Sequence, residues 1–392
     1  MTKTSPFALF RIFLLLGLTS FGGPTAHIAF FRTAFVEKRR WFSDADFAEL
    51  VALCQFLPGP ASSQLGFAIG LFRGGYLGAL FSWIAFTLPS AIVLVLFAYL
   101  ATDLQGPLGQ GLVHGLKLAA VAVVLRAVWS MARGICTDAA RIGIALLALA
   151  ITLAWPESWA QLVVICIGAL LGKWFCQSSS APIGHELGFS IGRASAFSAL
   201  TLHLLLLIAL PVLAGLGQGV ALADAFYRSG SLVFGGGHVV LPLIEAEVVP
   251  RGWISADTFV QGYAAAQAVP GPLFTFATYI GALVTPSPNG VLGAAIATLA
   301  IFLPGMLILL AALPFWNQVR RIPNARAAIA GVSAAVVGLL AAAAYRPVWT
   351  SAVSTGLDVA LSIGGVLLLS AWKWPAWAVV LCVTAAAVLL VL

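Results

Sequence analysis

The sequence predicts an all-α polytopic membrane protein, built as an inverted internal repeat of two homologous halves whose Pro- and Gly-broken helices meet near the membrane midplane. Three observations lead there. Of 392 residues, 61% are hydrophobic and only 8% charged, against roughly 25% charged in a soluble domain. Apolar runs long enough to cross the hydrocarbon core as helix, about 17–25 residues, recur almost end to end. Finally, one unusual constellation occurs twice. Phe21-Gly22-Gly23, Trp41-Phe42-Ser43 and Gln55 to Pro60 return as Phe234-Gly235-Gly236, Trp253-Ile254-Ser255 and Gln267 to Pro272, with a constant offset from the Trp onward (253 − 41 = 212). Such a period is too long for a solenoid unit and marks a duplicated half.

Apolar patterning places the first-half segments at 7–30, 46–72, 76–101, 110–131, 141–155 and 159–175. The last two are short and flank Trp155-Pro156-Glu157, a hairpin with an interfacial turn. A Ser-rich stretch from Gln177 to Arg193 reads as a linker, followed by one unpartnered segment at 196–216. The second half supplies 221–244, 257–283, 290–314, 327–345, 353–371 and 375–392, and Leu77-Gly78 and Pro89 find counterparts in Leu292-Gly293 and Pro304. The domains are therefore 1–176, a linker with one extra helix over 177–217, and 218–392. Whether the broken segments cross or re-enter is open. An odd number of crossings before the second half inverts it in either case. With the N-terminus cytoplasmic, Arg133, Arg141, Lys173, Arg193 and Arg320-Arg321 fall inside, as the positive-inside rule asks. Arg32 and Lys38-Arg39-Arg40 obey it only if the broken segments re-enter. Met1-Thr2-Lys3 leads into a long segment without a small-residue cleavage site, so no removed signal peptide is expected.

The breaks carry the candidate chemistry. The pairs Gly22-Gly23 and Gly235-Gly236 let the backbone leave the helix or admit a close neighbour. Pro58-Gly59-Pro60 and Pro270-Gly271-Pro272 end a helix, since proline lacks the amide hydrogen and costs about 3 kcal/mol in a helix interior. Irregular backbone at membrane depth survives only when buried in protein or lining a polar cavity, and paired breaks in two halves are where transported ligands bind. Polar residues gather there: Gln55, Ser62, Ser63 and Gln64 in one copy, Gln267, Thr275 and Thr278 in the other. Helices restarting after the prolines aim positive N-terminal ends at the break, an anion site. A structural kink is the plainer reading of the same residues.

Charge inside the apolar segments is scarce. Lys117 and Arg126 are candidates to neutralise an anion, as are Arg11 and Arg228; Arg11 and Arg126 are also placed to snorkel to the interface. His27 and His238 each follow a glycine pair but align poorly. Asp46 and Glu49 read as helix N-terminal charges or as proton carriers. The five cysteines lack CxxC pairing, and HExxH, Walker A and nucleophile-elbow patterns are missing, so no cofactor, metal or hydrolytic chemistry is expected. A net charge of +7 scattered between apolar segments does not point to nucleic acid.

Phe21-Gly22-Gly23-Pro24, the basic stretch Glu37-Lys38-Arg39-Arg40-Trp41, Gln55 through Pro60, and Phe234-Gly235-Gly236-Gly237-His238 through Gln267 to Pro272 resemble the chromate transporter family in its long, two-domain form. The resemblance covers essentially the whole chain. It implies a secondary transporter that exports chromate, with sulfate as analogue, and halves of opposite topology. It implies a multi-pass protein of the inner membrane whose partners are the oxyanion and the bilayer, with a homodimer left open. The repeat and its breaks themselves suggest a mechanism that holds the anion between the Pro-Gly-Pro breaks, on helix N-termini, Gln55 and Gln267 amides and Ser62, Ser63 and Thr275 hydroxyls, with Lys117 or Arg126 adding charge. Rivals are a sulfate or other anion importer on the same fold and a membrane-embedded enzyme using carboxylates from Asp46, Glu49, Glu245 and Asp257.

Overall fold

The computed structural model describes residues 4–102, 106–155, 158–176, 192–234, 237–319 and 322–391. The linker stretch from Gln177 and the pair Gly235-Gly236 therefore lie outside the described residues. No strand occurs among the described residues. The first half runs α1 (Pro6–Thr19), α2 (Gly23–Arg32), α3 (Asp44–Phe56), α4 (Ala61–Thr102), α5 (Pro107–Ile135), α6 (Ala139–Ala154) and α7 (Ser158–Phe175). After the separate α8 (Arg193–Leu213) come α9 (Gln218–Ser231), α10 (Val240–Val248), α11 (Ala256–Ala268), α12 (Phe276–Leu283), α13 (Gly290–Ala312), the short α14 (Trp316–Val319), α15 (Pro323–Ala343), the short α16 (Thr350–Ala352), α17 (Gly356–Ser370) and α18 (Ala376–Val391). Among the described residues, five helical stretches are long and apolar enough to cross a membrane: Ala61–Leu100, Leu108–Ile135, Arg193–Leu216, Gly290–Phe315 and Pro323–Ala352.

The broken segments fold back on themselves as helical hairpins. At 1.5 Å per residue, α1 with its 14 residues reaches only about 21 Å, short of a hydrocarbon core of about 30 Å. Thr4, just before α1, donates its N–H to the Arg73 carbonyl at 2.9 Å. The Arg73 guanidinium lies 4.6 Å from the centre of the Trp41 ring, and Phe42 packs on Phe72 at 5.0 Å. Entry of α1, exit of α2, entry of α3 and the end of the first arm of α4 therefore share one level. The chain goes in and comes back twice before Gly75, at φ +66, releases the second arm of α4. The other half repeats this: Trp253 accepts from the Thr285 N–H at 3.0 Å, joining the entry of α11 to the exit of α12.

The repeated Trp-x-Ser motif has a local cause. Ser43 and Ser255 are the N-caps of α3 and α11, accepting from the amides of Asp46 and Thr258 at 3.1 Å each, which satisfies a donor that the helix leaves orphaned.

Close packing recurs at corresponding places. A Cβ on Gly17 would lie 2.8 Å from the Phe86 carbonyl oxygen, and one on Gly230 would collide with that of Ile301. A Cβ on Gly115 of α5 would lie 2.6 Å from Thr384 Cα of α18, and Gly331 of α15 abuts Gly168 of α7 in the same way. So α5 packs against α17 and α18, while α15 packs against α6 and α7. Each half inserts one helix between the last two of the other.

Candidate functional site

Four hairpin tips meet at the centre. The Gly59 N–H donates to the Val233 carbonyl at 2.8 Å, and the Gly271 N–H donates to the Ser20 carbonyl at 2.9 Å. Each Pro-Gly-Pro turn thus binds the residue that precedes the Phe-Gly-Gly of the opposite half. Both glycines stand at positive φ, +121 and +105, a region that side chains with a Cβ seldom occupy. Pro24 touches Gly237, joining the two glycine-rich breaks directly.

Most polar groups at the tips hold this junction. The buried His27 ring bonds the Ser20 carbonyl through Nε2 at 3.2 Å and Ser62 Oγ through Nδ1 at 3.2 Å. A carbonyl only accepts, so Nε2 carries the hydrogen. Gln64 donates its amide to both the Pro58 and Gly305 carbonyls, at 2.9 and 2.8 Å. Thr275 donates to the Pro272 carbonyl at 2.7 Å. The hydroxyls of Ser20 and Ser63 are buried there without a partner.

Beside the junction opens a cavity of about 350 Å³. Gly22, Gly23 and Pro24, the N-terminal turn of α2, form one wall. Arg126, Ser130 and Met131 of α5 form a second, Gly237, His238 and Gln267 a third, and Leu369 with Trp374, Pro375 and Ala376 the fourth. Tyr263 donates to His238 Nδ1 at 2.8 Å, with the Gln267 amide 3.5 Å from the same nitrogen. The half-buried Arg126 has no hydrogen bond or ion pair among the described residues. No carboxylate lines the cavity. Guanidinium, amide, hydroxyl, imidazole and helix N-terminus are all hydrogen-bond donors or positive ends. Such a lining suits an anion and repels a cation. Among the described residues no three His, Cys, Asp or Glu side chains cluster as a metal site.

Of the residues singled out in the sequence, Gly22, Gly23, Arg126, His238 and Gln267 come together at this cavity. Pro58, Gly59, Pro60, Ser62, Pro270, Gly271, Pro272 and Thr275 build the junction behind it, with Ser63 buried alongside. Gln55, the repeat mate of Gln267, is exposed and does not line the cavity. Lys117 bonds Asp257 at 2.7 Å, and Arg228 is held by Asp224 and Glu247 at 2.8 and 3.0 Å, so neither cation is free. Sequence reasoning missed Ser130, Gly237 and the Trp374-Pro375 turn. Ser130 was findable, since it lies four residues after Arg126 on the same helix face.

The profile of the chromate transporter family matches residues 7–173 and 220–390. This chain belongs to the chromate transporter family. Its relatives include a probable chromate transport protein of Synechococcus elongatus, 30% identical over 372 residues, 93% of this chain and 89% of the relative. The chromate transport protein of Pseudomonas aeruginosa is 28% identical over 374 residues, 93% and 87% of the two chains. That of Cupriavidus metallidurans is 28% identical over 342 residues, 86% and 80%. No solved structure matches the chain. Chromate transporters are membrane transport proteins and not enzymes, which removes the enzyme reading. The two stretches matched by the family profile each hold one Phe-Gly-Gly and one Pro-Gly-Pro break and leave α8 outside both.

Proposed function

We propose that this chain exports chromate, with sulfate as its analogue, across the inner membrane, driven by the membrane potential. The observation that carries the reading is the cavity at the meeting point of the breaks, with no carboxylate among the described residues that line it and Arg126 unpaired in its wall. A tetrahedral dianion would take charge from Arg126 and hydrogen bonds from the Gln267 amide, the Ser130 hydroxyl and the amides at the start of α2. The relatives named as chromate transport proteins support chromate as the substrate.

Topology supports the direction. With both hairpins of the first half re-entering, the second arm of α4, α5 and α8 cross before α9, and the shorter α6–α7 pair adds two crossings or none, so the number is odd either way. The halves 1–176 and 218–392 then form an inverted repeat, and the recurring glycine contacts favour that pairing. Re-entry also returns Arg32 and Lys38-Arg39-Arg40 to the N-terminal side, in keeping with a cytoplasmic N-terminus. Arg126 and the Trp374-Pro375 turn fall on that side too, so the cavity takes anion from the cytoplasm. Outward passage of a dianion down an inside-negative potential releases roughly 4.6 kcal/mol per 100 mV.

The test is chromate uptake into everted membrane vesicles with an imposed inside-positive potential. Export predicts uptake that requires the potential, is competed by sulfate, and is lost in Arg126→Gln. Uptake only in right-side-out vesicles would make the protein an importer.

A further inference from the structure

A second cavity, of about 110 Å³, falls on the opposite side of the membrane from the first in the topology proposed above. Its walls are Thr152, Leu153 and Trp155 at the end of α6, Gln161 of α7, Pro242, Glu245 and Ala246 of α10, and the end of α15 with Arg346 beyond it. At roughly 10–15 Å³ per water-sized group, it has room for several. The two cavities are repeat-related. Val123, Ala127 and Ser130 in the first correspond to Leu339, Ala343 and Arg346 in the second at one offset (339 − 123, 343 − 127 and 346 − 130 all equal 216). Leu153 and Leu369 also line one cavity each at that offset (369 − 153 = 216). The first cavity is walled by α5 and by α17 with the start of α18, the second by α15 and by α6 with α7.

The charges differ. The first cavity has Arg126 and no acid. The second has the exposed Arg346, without a hydrogen bond or ion pair among the described residues, and a half-buried carboxylate, Glu245, within its field. The other ionised groups of this region are already engaged: Glu247 bonds Arg228 and Arg251, and Arg228 also bonds Asp224. Arg346 is the charged group that acts on Glu245. His238, at the start of the same arm, is tied to Tyr263.

We propose that the Glu245–Arg346 cavity is a second oxyanion site on the exit side, at which Arg346 receives the anion and ionised Glu245 displaces it. This rests on the export reading. A tetrahedral dianion and an ionised carboxylate compete for one guanidinium, so ionised Glu245 expels the anion and hinders its return. Protonated Glu245 leaves Arg346 open to the anion. By linkage, anion at Arg346 and proton on Glu245 favour one another by the same factor.

The experiment uses everted vesicles carrying the full chain, in which the exit face looks into the lumen. Potential-driven chromate uptake is measured while the lumen holds increasing sulfate, at neutral and at acidic luminal pH. For the wild type, acidification should lower the half-inhibiting luminal sulfate by about tenfold, within the usual range of such couplings. Glu245→Gln should show the acid-type sensitivity at both pH values. Arg346→Gln should lose luminal inhibition, and Arg346→Lys should keep part of it, which a purely structural role would not predict. Equal luminal inhibition in wild type and Arg346→Gln, with transport intact, overturns the second site alone. Failure of wild-type vesicles to take up chromate under the potential overturns the export reading and this proposal with it.

Discussion

The two halves share a backbone plan and differ in where they carry charge. At the junction they are near copies: Gly59 and Gly271 make the same cross-half hydrogen bond, at 2.8 and 2.9 Å. On the packed helices they part. Arg126 on α5 has Ala342 as its counterpart on α15, Ser130 has Arg346, and Lys117 has Ser333. Duplication thus repeats what the backbone needs, while the ionised groups are placed once each. Symmetry of scaffold is no guide to symmetry of site: Gln267 reaches the cavity and Gln55 does not.

The sharpest break of this comparison is at the unpaired cation. Arg126→Gln should cut potential-driven chromate uptake by about 30-fold or more, from the roughly 2 kcal/mol or greater cost of removing one partner of a desolvated charge contact. Ala342, the matching position, is buried in the wall of the second cavity, so Gln there should impair transport through overpacking and not through lost charge. Vesicle uptake normalised to protein in the membrane checks both.

Next come the junction glycines. Alanine at Gly59 or Gly271 should cost about 1–3 kcal/mol through positive φ. Gly59→Ala should be the worse, because its Cβ would lie 2.8 Å from the Gly305 Cα, whereas at Gly271 the neighbour is the Ser90 hydroxyl, which can turn away. Thermal unfolding of the purified protein would show the order, and an equal loss at both sites would count against backbone contact as the cause. Gln267→Ala should raise the half-saturating chromate concentration several-fold, consistent with about 1 kcal/mol for one hydrogen bond, while Gln55→Ala leaves it unchanged. Loss at both positions would return the site to the symmetry axis. Smallest and most nearly equal are the caps: Ser43→Ala and Ser255→Ala should each cost about 1 kcal/mol of stability.

Much of this was legible in the chain. The breaks follow from Pro-Gly-Pro, which ends a helix where the single Pro89 and Pro304 do not, and the paired motifs follow from their constant offset. Re-entry was not legible, because a broken helix looks the same in sequence whether it continues or returns. Thr4, Trp41 and Arg73 meeting at one level show that the hairpins fold back, and the re-entry reading rests on that. By sequence alone Lys117 was the stronger candidate, because Arg126 is also placed to snorkel to the interface. Lys117 is neutralised by Asp257, 140 residues away in the chain, a pairing that only tertiary structure makes. Glu245 and Arg346 likewise lie on separate elements, and neither sits in a repeated motif.

The interlocked helices bear on how the protein is made. Insertion into the membrane can proceed helix by helix as the chain emerges, but the groove on α5 around Gly115 is filled by Thr384 of α18, and the Arg126 cavity is closed by Trp374 and Pro375. Until those late residues are synthesised, α5 carries its arginine beside an unfilled groove, and assembly waits on contacts of long sequence separation, which form slowly. The first half on its own therefore lacks the neighbours its packed helix requires, and the candidate site comes into being only as the second half wraps around it.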